Sequence, residues 1–179
     1  MYNELDELRA RVKALEQQMG VYLGHSHGQF ELGLETAQIK TVLTVGTTNY
    51  QGLAIKVTAN EAIKSGQIVC WLQGASGADY KVNLVPTSGN SIDMPIGVAT
   101  ANIAQNATGW IIVAGYAYVL PMTTVTPTRG YVVFCSATEA GKADQAASGA
   151  TAQHWREVGH WCADGAQAGA FTLATLHFN

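Results

Sequence analysis

Two histidines, His25 and His27, sit between glycines in the run Gly24-His25-Ser26-His27-Gly28. The run has the form of a G-x-S-x-G nucleophile elbow, which needs a strand before it and a helix after it within an α/β sheet. Here Gln29-Phe30-Glu31-Leu32-Gly33 follows, and no alternating β/α pattern exists to supply an acid and a base histidine. Metal binding is the chemistry left to the pair. Alternate residues of an extended strand point the same way, and imidazole suits iron, zinc, nickel or copper. The bland reading is a glycine-flanked linker with solvated histidines. Further along, His154, His160 and Cys162 come close together. Their spacing fits no zinc signature, and packing by Trp155 and Trp161 is the simpler expectation. If residues 158–163 form a strand, His160 and Cys162 share one face and Trp161 takes the other. Carboxylates are scattered, with no glycosidase-like pair, and the phosphate-cradling GxGxxG and GxxxxGK loops are absent. The chain therefore reads as a non-enzyme.

The element that would bring several copies of His25 and His27 together lies just ahead of them. Leu5, Leu8, Val12, Leu15 and Met19 recur at alternating spacings of three and four, successive a and d positions of a heptad, with Met1 and Tyr22 extending the d series. Glu4 at g precedes Arg9 at e, and Arg11 at g precedes Glu16 at e, the attractive pairs of a parallel bundle. A single amphipathic helix packed on its own domain would show a wider apolar face. Gly20 is a suitable stop for the helix. Arg11-Val12-Lys13-Ala14-Leu15-Glu16 resembles the Arg-h-x-x-h-Glu signature of short parallel trimeric coiled coils. The resemblance implies three chains, with Arg11 packing over the core and pairing with Glu16 of the next chain. Beside such a three-fold axis, His25 and His27 would offer six imidazoles to one transition-metal ion. That arrangement is similar to the His-x-His iron sites of trimeric phage tail fibres and spikes.

Composition bounds the rest. Charged residues are 13% of 179, against roughly 25% in ordinary soluble domains. Seven charges fall in residues 1–20, leaving 16 of the 23 for the other 159 positions. So charge-poor a body suits a surface covered by other protein, or a robust secreted or virion β domain. A net charge of −3 without a basic patch excludes nucleic acid as a partner. No apolar run reaches the ~20 residues of a membrane span. An acidic N-terminus is unlike a signal peptide, and three widely spaced cysteines, Cys70, Cys135 and Cys162, argue for assembly in a reducing cytoplasm.

From about Gln38 the chain runs as short β-branched and aromatic segments between turn residues. Strands are expected at 39–45, 53–57, 67–72, 81–85, 96–103, 110–113, 116–120, 131–136, 158–163 and 171–177, with 141–153 ambiguous. Gly66-Gln67-Ile68-Val69-Cys70 resembles Gly130-Tyr131-Val132-Val133-Phe134-Cys135, and Ile96-Gly97 through Gln105 resembles Val158-Gly159 through Gln167, at offsets of 64 and 62. A repeat of that kind would make Cys70 and Cys135 equivalent buried strand positions; chance in an Ala/Gly-rich chain is the competing account. The expected architecture is mainly β: a trimeric coiled coil over 1–20, a linker over 21–37, and a β domain over 38–179. That domain is expected to be a β-sandwich or barrel, jelly-roll-like, within a homotrimer.

The segment 66–120, with Gly-x-Ile-Val, then Pro95-Ile96-Gly97-Val98-Ala99, then Ala104-Gln105-Asn106-Ala107-Thr108-Gly109-Trp110-Ile111-Ile112-Val113-Ala114-Gly115, resembles tailed-phage capsid decoration (cement) and head-fibre proteins. The resemblance implies a virion protein, assembled in the host cytoplasm. It would sit as a trimer on a three-fold site of the shell, bind the major capsid protein and stabilise it. The alternative is a trimeric tail-fibre or receptor-binding module that grips a host glycan or protein, with Trp71, Trp110, Trp155 and Trp161 as candidate contacts.

Overall fold

A computed structural model describes residues 37–45, 48–72, 81–87, 94–146, 156–165, 167 and 169–177. The expected coiled coil and linker lie outside these residues. The described part is mainly β, as its composition predicts. It forms one ten-stranded sheet: β1 (Gln38–Val45), β2 (Thr48–Ala59), β3 (Ile68–Trp71), β4 (Lys81–Leu84), β5 (Pro95–Ala99), β6 (Thr108–Val119), β7 (Val132–Cys135), β8 (Ala143–Ala146), β9 (Glu157–Trp161) and β10 (Thr172–Leu176). The sheet order is β1-β2-β4-β3-β5-β6-β10-β9-β7-β8, with a further β2–β6 pairing.

That further pairing closes the first five strands after β1 on themselves. β2 runs parallel to β4, β4 and β5 flank β3 antiparallel, β5 meets β6, and β6 returns to β2. The next set repeats the pattern from β6 onward: β8 and β9 flank β7, β9 meets β10, and β10 meets β6. The parallel contact recurs as a Pro121↔Ala143 bridge just past the end of β6. β6 therefore belongs to both sets.

The repeat reaches individual registers. Ile68↔Val98, Val69↔Gly97 and Cys70↔Pro95, with a bulge after Val69, reappear as Val132↔His160, Val133↔Gly159 and Phe134↔Glu157, with a bulge after Val133. Gly66 and Gly130 precede β3 and β7 at φ of 76° and 81°, a left-handed conformation that glycine alone adopts cheaply. Gly66 and Gly130 donate to Ala99 and Trp161, and the Ser65 and Arg129 amides donate to the side chains of Asn102 and Asp164. Local sequence thus builds the same turn twice. The ladders correct one expectation. Cys70 matches Phe134, and Cys135 matches Trp71, because the offset of 64 set by Gly66 and Gly130 runs unbroken through both ladders while the cysteines lie 65 apart.

Other boundaries moved for physical reasons. Residues 110–113 and 116–120 are one strand, which passes through Gly115 at φ 86°. A Cβ at Gly115 would lie 2.6 Å from the Gln51 carbonyl, so glycine is required at the seam. There Gly115 pairs with Gly52 of β2 and with Leu176 of β10. The strand expected over 96–103 ends at Ala99, and Ile103 instead makes an isolated bridge to Ile63. In the ambiguous stretch, Ala143–Ala146 is a strand. Buried side chains from both sets, among them Ile68, Val98, Ile112, Val119, Val133 and Trp161, join in one apolar core.

Candidate functional site

The residues singled out for assembly (Leu5, Leu8, Arg11, Val12, Leu15, Glu16 and Met19) and for metal (His25 and His27) lie outside the described residues, as do His154 and Trp155. Of the second histidine group, His160 stands on β9 and Cys162 follows just past its end. Trp161 is buried at 2% exposure, as an alternating strand requires, while His160 is half-buried.

The structure gives His160 partners that sequence proximity did not. The β9–β10 ladder sets His160 opposite Thr175, and the His177 amide donates to the Val158 carbonyl, which extends the pairing by one step. His177 thereby lies beside His160, the two rings stacked with centroids 5.1 Å apart and planes 22° from parallel. Nε2 of His177 is 2.8 Å from Oε1 of Glu157 at the start of β9. Candidate ligand atoms of Glu157, His160 and His177 all lie within 4.8 Å of one another. His177 is 46% exposed and Glu157 16%, so solvent reaches the cluster from one side. It is the group of three or more potential metal ligands among the described residues.

One residue before Glu157, Arg156 is 3% exposed. Its guanidinium donates to the carbonyls of Thr87 (3.1 Å), Pro86 (2.8 Å) and Ser136 (2.8 Å). The planar fork of arginine suits three acceptors at once, so the start of β9 is pinned to the segments after β4 and β7. Cys135 lies nearby. Burial pushes its thiol up to about 12, against the opposing pull of Arg156. All three cysteines are free thiols, and Cys135 has the character of an inert core residue.

Several charged groups elsewhere are engaged within the fold. Glu61 accepts from the Leu84 amide, and Asp164 accepts from the Arg129 amide. Glu139 is hydrogen-bonded by Lys142 and by the amide and hydroxyl of Thr123. These donors, Lys142 first, hold its carboxyl down at about 2. Lys40 stands over the Trp110 ring, 4.2 Å from its centroid. Among the described residues, the large exposed apolar side chains are Ile39, Tyr118 and Phe171. Among the tryptophans considered for recognition, Trp161 is core and Trp71 and Trp110 are half-buried.

No protein-family description matches this chain, and no curated protein matches it. Among solved structures it is similar to the N base of the head fibre gp8.5 of bacteriophage phi29, at 12% identity and a TM-score of 0.49, over 69% of this chain and 92% of that one. A likeness of this degree assigns neither a family nor a function.

Proposed function

We propose that the chain is a non-enzymatic virion structural protein, a homotrimer of the capsid decoration or head-fibre kind that binds the major capsid protein and stabilises the shell. The carrying observation is the fate of its charges. Beyond residue 20 the chain has 16 charged residues, and several of them (Glu61, Glu139, Lys142, Arg156, Glu157 and Asp164) hold the fold itself together. The described residues that face outward include Ile39 at 72% exposure and Phe171 at 52%. Interface cores are depleted in charge and enriched in aromatics in the same way. The a/d register of residues 5–19 supplies the means of gathering three copies.

Two measurements test this reading. Native mass spectrometry of the full chain is expected to show a species at three times the 19.0 kDa protomer; a monomer under gentle conditions would sink the trimer. Added to shells that lack it, the purified protein should raise their heat resistance, because a ligand of the assembled state stabilises it by mass action. Exposed aromatic rings at Tyr118 and Phe171 favour the second reading, a tail-fibre module gripping a host glycan or protein. Density at the tail tip rather than on the shell in virion micrographs would decide for it.

A further inference from the structure

We propose that Glu157, His160 and His177 form a site for one divalent transition-metal ion of the zinc class, which ties β9 to the end of β10. Two imidazoles and a carboxylate are a ligand set that Zn²⁺, Co²⁺, Ni²⁺ and Cu²⁺ accept. Zinc binds such ligands at about 2.0–2.2 Å, so two of them around one ion stand roughly 3–4 Å apart. The observed spread, within 4.8 Å, needs a closure of an ångström or so. Rotation of the three side chains, of which His177 is nearly half exposed, can supply it. The Glu157–His177 contact at 2.8 Å is already short enough. On binding, the ion takes the place of the proton between Nε2 of His177 and Oε1 of Glu157, and solvent completes the coordination on the open side.

The repeat supplies an independent argument. By matched registers, Glu157 and His160 correspond to Pro95 and Val98. The β5–β6 and β9–β10 ladders make Ile112 the counterpart of Thr175, and beyond it β6 bulges at Val113 against β2 where β10 runs without a bulge against β6. The first set of strands builds the same backbone with Pro and Val where Glu157 and His160 stand. The fold therefore does not demand polar groups here, yet the second set has three that converge.

The test uses the full chain with His25→Ala and His27→Ala, so that the other histidine pair cannot contribute. Isothermal titration with Zn²⁺, and the visible d–d absorption of Co²⁺, should both report one ion per chain. His177→Ala leaves the buried core untouched. It should weaken binding by at least the ~10–100-fold that even the loss of an outer-shell partner costs, and Glu157→Gln should do the same. Zn²⁺ should raise the unfolding temperature of the parent but not of His177→Ala. No uptake by the parent at millimolar Zn²⁺, or uptake unchanged in both His177→Ala and Glu157→Gln, would overturn the site.

Discussion

Replacing Arg156 with methionine keeps the stem volume and removes the charge, which isolates the contribution of the guanidinium. The variant loses three charge-assisted hydrogen bonds, whose gross strength in the fold is set against the cost of taking the guanidinium out of water. Pro86 and Thr87 are half-buried, so water can serve their carbonyls. Ser136, at 1% exposure, has no such recourse. Its orphaned carbonyl costs roughly 1–3 kcal/mol. Against these losses, the variant escapes the desolvation of a buried cation, several kcal/mol. The lost bonds and the recovered hydration largely offset, so the Ser136 carbonyl sets the expected net destabilisation at about 1–3 kcal/mol. For a chain of this size that is a fall of about 2–12 °C in unfolding temperature. Arg156→Lys should fare worse than methionine. It keeps the buried charge but cannot span three carbonyls from a single nitrogen. Urea unfolding at one fixed protein concentration measures both, since an assembling chain's apparent stability varies with concentration. A methionine variant within 0.5 kcal/mol of the parent, a margin typical of inconsequential surface changes, would refute the reasoning. So would a lysine variant more stable than methionine.

Gly159→Ala should disrupt the β9–β10 ladder, because its Cβ would lie 1.7 Å from the Thr175 carbonyl; at the matching Gly97 the nearest atom is the end of the Ile111 side chain at 2.8 Å. Thermal melts should rank Gly159→Ala well below Gly97→Ala, and equal losses would contradict the close approach. Glu139 is held down at about 2, so its stabilising interactions are complete above the ordinary carboxylate pKa near ~4.3 and are lost as pH falls toward 2. The stability gap between the parent and Glu139→Gln should be flat above about pH 5 and close below it; a gap independent of pH would exclude this role. With a thiol reagent, half-buried Cys162 should react first, and buried Cys70 and Cys135 only at the rate of opening. Equal rates for all three would argue against their placement. Leu8→Ala and Leu15→Ala should each cost roughly 2–5 kcal/mol if buried in a coiled-coil seam, and native mass spectrometry should show the trimer weakened. An unchanged trimer would move assembly to the β body.

The strands were legible where β-branched runs ended in clear turns, as at Val132–Cys135 and Glu157–Trp161. β6 read as two strands because Ala114-Gly115 looks like a turn. The glycine instead lets one strand change partners, which only the Gly52 and Leu176 pairings reveal. β8 is Ala143-Asp144-Gln145-Ala146, a segment with no β-branched residue, and it is a strand because β7 stands ready to pair with it. The repeat was legible from its glycines, but the cysteines misled by one position because they lie 65 residues apart where the matched ladders keep an offset of 64. His160 was noticed in company with His154 and Cys162, its neighbours in sequence. Its partner His177 arrives by strand register, which spacing along the chain does not encode. Aligning the two repeats and asking where polar residues replace Pro95 and Val98 would have picked out Glu157 and His160.

The double membership of β6 has a mechanical consequence. Two closed rings that merely touched could be pried apart and melt one after the other. Here the residues that seal the first ring, Thr108–Gly115, continue without interruption into those that seal the second, Gly115–Val119. Withdrawing that strand breaches both enclosures together, and neither half has a spare strand to mend itself. A pull on the chain therefore meets a single barrier rather than two weaker ones in series, and load applied at one ring is carried by the hydrogen bonds of both.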